Sequence, residues 1–475
     1  MKKILSILAV SFLAILAFGE SVKNAKYVFL FIGDGMSLPQ RMATDEFLRL
    51  QKKSTLAINQ LPHQAITKTR SADQFITDSA AAGTAIACGT KTNNYYIGVD
   101  ANGKRLESIA EYAKKQGKKV GIITTVTLTH ATPASFYSHT QNRYDFFSIA
   151  KDLLNSNFDF FGGGEVFKYT INSRIRGGTI EDFEKLAKNY EYKIVRTRSA
   201  INSLKKGDGR IIAVAETNYN LPYVIDKPNS IRISDLLVKG IELLEDNKNG
   251  FFFMVEGGSI DWMCHANDAA TTFHEIIDLD KAVKVALEFA KKHPDETLIV
   301  VTGDHETGGM SIGFAGTGYI TYLELLQNQK MSHAAFEQAV KKLVKQNNNL
   351  PFDVVKKFMS ENLGFKFDEK YKADKMYINE TELADLKKAF EKELALKGES
   401  VFDVAVKDLY EKKKNPMPVA AYRCLNNKAG IGWSSQAHTA LPTLTTATGV
   451  NAHLVKGSIE NTDVYKILKR SIDGK

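Results

Sequence analysis

Acids and histidines recur in this chain at places where they could share an ion. Asp261 and His265 stand four apart, so at a helix start both project from one face. Asp304 and His305 are adjacent and follow a β-branched or aromatic run that stops at Gly303, and Asp34, between Gly33 and Gly35, follows another. Glu256 ends a third such run, and His438 lies in Gln436-Ala437-His438-Thr439 near the end of the chain. Mixed imidazole and carboxylate ligands suit zinc, with an open position for water or substrate. Taken singly, each residue has an ordinary alternative. Asp34 also reads as a turn or cap residue, Asp261 and His265 as a pair on one helix, and His438 as a hydrogen-bonded histidine.

A nucleophile and an anion clamp accompany them. In Thr77-Asp78-Ser79-Ala80-Ala81-Ala82-Gly83-Thr84-Ala85, small helix-compatible residues follow Ser79, which places the serine at a helix N-terminus. Free N–H groups and the helix dipole there stabilise an anion or an alkoxide, although a Ser or Asp N-cap has the same signature. No G-x-S-x-G surrounds Ser79 and no separate His/Asp pair is evident as its base. Activation by a metal ion fits better. His130-Ala131-Thr132-Pro133 is followed by His139 and Arg143. An arginine beside a metal cluster suits bidentate binding of phosphate, whereas a lone one usually makes a surface ion pair.

The elements that must position these groups are legible as short apolar runs. Tyr27 to Ile32, Val120 to Thr125, Phe251 to Val255 and Leu298 to Thr302 read as strands buried on both faces of a parallel sheet. Helical patterns lie between them, as at Leu106 to Lys115 and Ala269 to Lys292. Strands alternating with helices predict an α/β fold, a mostly parallel sheet with helices on both faces. Ligands bind beyond the carboxyl ends of such strands, where all four runs lead into polar residues. From Tyr322 to Lys414 the chain is rich in Lys, Glu, Leu and Ala and contains no Arg. Glu337, Lys341 and Lys345, then Leu386, Phe390 and Leu394, fall at helical spacing, with Asn347 to Pro351 as a break. The expected organisation is a catalytic α/β domain over 20–321 and 415–475, carrying a helical insertion or cap over 322–414.

Composition bounds the function. At 475 residues and 52.8 kDa the chain has length for about three average domains. Its hydrophobic fraction of 44% and charged fraction of 25% exclude a disordered chain and a polytopic membrane protein. A net charge of +9 spread over this length is a mild attraction for anions, not a nucleic-acid footprint. Three cysteines, Cys88, Cys264 and Cys424, with no CxxC, build neither a disulfide scaffold nor a thiolate zinc site. Met1-Lys2-Lys3, the apolar run Ile4 to Phe18 and the small residues of Ala17-Phe18-Gly19 match a signal peptide over 1–19. That run is shorter than the ~20 apolar residues of a bilayer span, so no stable membrane span is expected after processing. The expected location is outside the cytoplasm, periplasmic or secreted.

In order and wording these pieces resemble the alkaline phosphatases. The matching blocks are Ile32-Gly33-Asp34-Gly35-Met36, Thr77-Asp78-Ser79-Ala80-Ala81, Ala131-Thr132-Pro133 with Arg143, Glu256-Gly257-Gly258-Ser259-Ile260-Asp261 with His265, Thr302 to Gly309, and His438-Thr439. Lesser echoes are Phe161 to Glu165 and Leu221-Pro222-Tyr223. The resemblance runs from about Lys26 to Gly449, apart from the insertion. It implies an αβα sandwich and hydrolysis of phosphate monoesters, with a homodimer as the expected assembly. It makes Ser79 the nucleophile that becomes a phosphoserine. Asp261, His265 and His438 would hold a first zinc; Asp34, Asp304 and His305 a second. Asp34, Thr132 and Glu256 would hold a third metal, magnesium in the usual case. Arg143 would bind phosphoryl oxygens and Asp78 would orient Arg143.

Two positions depart from the best-known bacterial members, which have Asp at His130 and Lys at Trp262. Imidazole beside the third site removes negative charge, so zinc or cobalt is expected there more readily than in those members. Trp262 offers no cation to phosphate, so the product is expected to be held more loosely. A related phosphodiesterase or a sulfatase-like hydrolase shares the two-metal core. Ser79-Ala80-Ala81-Ala82-Gly83 lacks the x-Pro-x-Arg that a sulfatase needs after its modified residue, and a diesterase needs room where Arg143 would crowd a second ester group. A catalytically silent binding protein would lack ligands or nucleophile, and none of the matched positions is empty.

Overall fold

Aromatic and β-branched residues that alternate between two apolar surroundings make a strand with no wet face. Along Tyr27–Gly33 (β1) every residue is buried. Val28, Leu30 and Ile32 enter one core cluster, and Tyr27, Phe29 and Phe31 enter another on the opposite face. The computed structural model describes residues 22–166, 180–215, 219–347, 349–398 and 415–475. The expected signal peptide, and positions 348 and 399–414 of the insertion, lie outside the described residues.

The strands that follow are His63–Lys68 (β2), Lys119–Thr124 (β3), Phe160–Gly163 (β4), Tyr192–Val195 (β5) and Arg210–Val214 (β6). Phe251–Gly257 (β7) and Thr297–Gly303 (β8) come next, then the short Glu306–Thr307 (β9), Met310–Ile312 (β10), Ile431–Trp433 (β11) and His438–Thr439 (β12). Thr443–Gly449 (β13) and Gly457–Glu460 (β14) close the series. Ten of these form one sheet in the order β14-β2-β13-β8-β1-β7-β3-β4-β6-β5. β13 runs antiparallel to both neighbours, and the other pairings are parallel. The four expected strands are β1, β3, β7 and β8, side by side at the centre.

Helices Ser79–Cys88, Ile109–Lys115, Phe146–Asn155 and Asn461–Asp473 cover one face, and Ile233–Leu244 and Ala269–Lys292 cover the other. The helix expected from Leu106 starts three residues later, because the Ser108 hydroxyl caps it by accepting from the Glu111 N–H. Helices His333–Gln346, Phe352–Leu363 and Glu380–Ala395 occupy the expected insertion. Their buried Phe336, Val355, Leu386 and Phe390 belong to one apolar core with Ala43, Phe47 and Phe273 of the α/β unit. Each such side chain contributes about 1.5–3 kcal/mol by burial. Helix Pro416–Ala429, beyond the expected end of the insertion, joins the same core through Met417, Tyr422 and Leu425. The three cysteines are unpaired and buried, and burial pushes their thiols up, so none is primed to react.

The long helix also buries acids away from the sheet's rim. Glu275 accepts the Val224 N–H at 2.7 Å, and burial, with Asp278 nearby, pushes its carboxyl from 4.5 up to about 8. The folded protein therefore holds a proton there that the unfolded chain has released, and the associated stability disappears as pH rises from about 4.5 to 8. Glu275→Gln keeps the acceptor without the charge. It is expected to raise Tm by a few degrees at pH 9, from ~2–3 kcal/mol, and to change it little near pH 4.5. Thermal melts at the two pH values check this, and equal melting of both proteins at pH 9 refutes it.

Candidate active site

Strand register brings the separated motifs to one rim. Gly33 pairs with both Gly257 and Gly303, and Thr124 pairs with Glu256, so four strands end at one level. Asp34 and Asp304 are the next residues on neighbouring strands. Gly303 has to be glycine because a Cβ there would lie 2.0 Å from the Met36 carbonyl oxygen. Gly35, at φ +72°, turns the chain so that its N–H donates to Asp304 Oδ1 at 3.1 Å. Beyond β7 the short helix Ser259–His265 carries Asp261 to the same rim. β12 brings in His438 by pairing antiparallel with β9, His438 opposite Thr307.

Ligand-type atoms meet there in three overlapping groups, each within 4.8 Å: Asp261, His305 and His438; Asp34, Asp304 and His305; Asp34, His130 and Glu256. Asp34 and His305 are each shared by two groups. His265 falls outside these sets, although its Nε2 is 3.3 Å from Asp261 Oδ2. Thr132 Oγ1 donates to Asp34 Oδ2 at 3.4 Å and also bonds Glu256. Burial pushes Asp34 and Asp304 well above the usual carboxylate range, helped by repulsion from Asp261 and Glu256 on Asp34 and from Asp34 on Asp304, and burial takes Glu256 to about 7. Burial acts on Asp261 in the same sense, but His265, His438 and His305 outweigh it and hold that carboxyl low. Burial and Arg143 push His130 down to about 3, so its imidazole is neutral.

These residues fit bound cations. Asp34 Oδ1, Asp304 Oδ2, Glu256 Oε1 and His130 Nδ1 are buried without any hydrogen-bond partner. Three orphaned carboxylate oxygens and an unpartnered imidazole nitrogen in one polar pocket are a large unmet cost unless positive charge sits among them. The imidazoles are oriented to match. His438 Nδ1 faces the Thr77 carbonyl at 2.8 Å, and His265 Nδ1 faces the Gln436 carbonyl at 2.6 Å. A carbonyl only accepts, so each Nδ1 carries a proton and Nε2 is the ring nitrogen turned to Asp261.

Ser79 is the first residue of helix Ser79–Cys88, and Asp78 is its N-cap, accepting the Ala81 N–H at 2.9 Å through Oδ1. Both readings of that segment therefore coexist. Ser79 Oγ lies 3.2 Å from His305 Nε2. The sequence suggested no histidine partner for Ser79; β8 and the helix start supply one. That same Nε2 faces Asp34 Oδ1 at 3.1 Å and Asp304 Oδ2 at 3.4 Å, so it stands as one of several groups around a common point. Asp78 Oδ2 accepts from Arg143 Nη1 at 2.8 Å and from the Tyr95 N–H at 3.1 Å. The Arg143 N–H in turn donates to the Tyr95 carbonyl, and Tyr95 holds φ +73° to do both. Arg143 Nη2 reaches His130 Nε2 at 3.5 Å. Trp262 stands edge-on to His130, ring centres 6.1 Å apart, and its other neighbour is Tyr219 at 5.3 Å.

Other groups at the rim carry no metal-like sequence signal. Thr124 donates its hydroxyl to Glu256. Glu306, fully buried, accepts from Gln40, Gly309, Met310 and Thr439, locking the β9–β12 pair that carries His438. Glu306 and Thr307 do lie in the recognised Thr302 to Gly309 block, which was the available hint. His139 is turned away, its Nε2 on the Leu106 carbonyl at 2.9 Å. A cleft of about 450 Å³ at the opposite end of the strands is lined by Lys114, Lys119, Asp159 and Arg210. Lys114 and Lys119 both pair with Asp159 there.

Comparison with known proteins agrees with this geometry. The family described as alkaline phosphatase matches residues 25–473. Alkaline phosphatase 3 of Bacillus subtilis is 32% identical over 462 residues, covering 94% of this chain and 88% of its own. The crystal structure of a cold-active alkaline phosphatase from a psychrophilic Shewanella species superposes with a TM-score of 0.76 at 27% identity, covering 94% of this chain and 99% of that one. A histidine-to-aspartate mutant of the alkaline phosphatase from the Antarctic bacterium TAB5, solved with magnesium in its M3 site, has a TM-score of 0.64 at 25% identity, covering 95% and 99%.

Proposed function

The chain belongs to the alkaline phosphatase family, and from that premise we propose that it hydrolyses phosphate monoesters through a phosphoserine formed on Ser79. The observation that carries the reading is the convergence of Ser79 Oγ, the buried unpartnered carboxylates and Arg143 on one rim. Asp261, His265 and His438 would hold one zinc, and Asp34, Asp304 and His305 a second. Asp34, Thr132 and Glu256, with His130 beside them, would hold a third ion. When bound, such ions supply Lewis-acid charge that lowers hydroxyl pKa values and neutralises phosphoryl oxygens.

The chain's own groups do the rest. Arg143, braced by Asp78, offers two parallel N–H donors to the phosphoryl oxygens and sets the ester for in-line attack. Ser79 Oγ forms its bond to phosphorus as the bond to the alcohol oxygen breaks. The helix N-terminus favours negative charge on Ser79 Oγ, whose proton ends on the departing alcohol. Water then attacks the phosphoserine from the side the alcohol left, and Ser79 Oγ departs as inorganic phosphate forms. Crowding by Arg143 and His130 supports monoesters over diesters.

His130 is the residue that sets the third site apart. The neutral imidazole brings no negative charge, which supports zinc or cobalt there as well as magnesium; the TAB5 enzyme with magnesium in M3 carries aspartate in place of a histidine. Trp262 gives phosphate no positive partner, which supports weak product retention. The apolar run Ile4 to Phe18 after Lys2 and Lys3 supports export to the periplasm or beyond. No helix among the described residues is long and apolar enough to cross a membrane.

One experiment tests the whole reading: metal analysis of the purified protein coupled to kinetics on 4-nitrophenyl phosphate and its bis ester. About two zinc ions per chain, a third ion, and a kcat/KM for the monoester at least about 10²-fold above the diester are expected. Equal rates on the two esters, or full turnover after chelation, overturns it.

A further inference from the structure

Of the three histidines read as zinc ligands, His438 and His265 have backbone carbonyls fixing Nδ1, but His305 has a side-chain hydroxyl instead. Thr307 Oγ1 lies 3.2 Å from His305 Nδ1 and 2.5 Å from Asp261 Oδ1. A hydroxyl has one proton to give and lone pairs to receive another. Asp261, facing His265 and His438, accepts only, so the Thr307 proton is committed to Asp261 Oδ1. The remaining lone pairs of Oγ1 then face His305 Nδ1, which must carry its own proton. His305 is thereby fixed with a bare Nε2, the atom aimed at Asp34 Oδ1 and Asp304 Oδ2.

We infer that Thr307 is a positioning residue that ties the two principal metal half-sites into one unit, orienting Asp261 of the first and His305 of the second through a single hydroxyl. This inference rests on the reading of those residues as metal ligands. Thr307 is fully buried, so no solvent competes for its hydrogen bonds. Its backbone pairs with His438 across the β9–β12 ladder. The turn bearing Asp34 packs directly on it, since a Cβ on Gly35 would come within 2.8 Å of Thr307 Oγ1. One side chain therefore touches groups from both half-sites, and losing its hydroxyl loosens both together. Groups that orient metal ligands from behind typically cost 10–100-fold in metal affinity when removed.

The test titrates metal-free protein with zinc against a chromogenic chelator, comparing wild type with Thr307→Val and Thr307→Ser. Valine matches threonine in shape and lacks the hydroxyl; serine keeps the hydroxyl. Thr307→Val is expected to weaken zinc binding about 10–100-fold at both half-sites, and Thr307→Ser to stay within about threefold of wild type. A role in packing alone would lower the melting temperature of Thr307→Val and leave its zinc affinity intact, and that result overturns the inference. So does a Thr307→Ser protein as weak as Thr307→Val. If Thr307→Val does not fold, nitrogen-15 NMR of metal-free wild type decides: a protonated Nδ1 on His305 supports the inference and a protonated Nε2 overturns it. Wild type that binds no zinc removes the metal reading itself, whereas wild type that binds zinc alongside an unchanged Thr307→Val removes this inference alone.

Discussion

Replacing Ser79 with alanine is expected to lower kcat on phosphate monoesters by at least about 10⁴-fold, the largest loss from any single substitution here. Ser79 Oγ stands at a helix N-terminus and 3.2 Å from His305 Nε2, the atom that also faces Asp34 and Asp304. Water could take its place only without the fixed attack geometry, and that positioning is a large part of the rate. Two measurements check this. Steady-state kinetics give the loss, and acid quenching with radiolabelled phosphate should trap label on wild type and none on Ser79→Ala. Turnover within tenfold of wild type would refute the serine mechanism. Because alanine suits the first turn of a helix and Asp78 keeps its cap, the variant should melt like wild type.

Arg143→Ala is expected to lower kcat/KM by about 10²–10³-fold and to weaken inhibition by inorganic phosphate in parallel. The guanidinium is held on one side by Asp78 Oδ2 at 2.8 Å, and its backbone is fixed by Tyr95. It therefore meets substrate in a set orientation without losing further freedom. Arg143→Lys keeps the charge but lacks the planar fork, and should recover little of the loss. A lysine variant at wild-type kcat/KM would mean that charge alone matters and that the Asp78 brace is incidental. Burial works against the charge on Arg143, but Asp78 more than offsets it, so the guanidinium stays charged across any pH at which the protein is active.

Much of the frame was legible because its signals are local. β1, β3, β7 and β8 are apolar runs whose alternate residues feed two cores, and a strand buried on both faces leaves that imprint in sequence. Asp34, Glu256 and Asp304 could be placed at strand ends for the same reason. The relation of Ser79 to Asp78 was open in sequence because serine and aspartate both cap helices; the fold gives the cap to Asp78 and frees Ser79. What could not be read depends on contacts between distant segments. Tyr95 bracing Arg143, Thr307 between Asp261 and His305, and Glu306 gripping Thr439 involve ordinary residue types whose partners lie far along the chain. Helix Pro416–Ala429 shares its apolar core with the inserted helices and with Phe47 and Phe273, a contact that residue content does not reveal.

The order of strands in the sheet has a consequence for the making of this protein. β1 is the first strand synthesised, yet both of its neighbours, β7 and β8, come from beyond residue 250. β2 waits still longer, because it is flanked by β13 and β14 at the end of the chain. A growing polypeptide thus cannot complete the central sheet from its own early segments. Closing such distant pairings is slow, and the exposed strand edges invite aggregation in the meantime. His438 itself is made late, on β12 just ahead of β13. A chain cut short before His438 has neither a closed sheet nor a full set of ligands, so activity waits on the late-made part of the sheet.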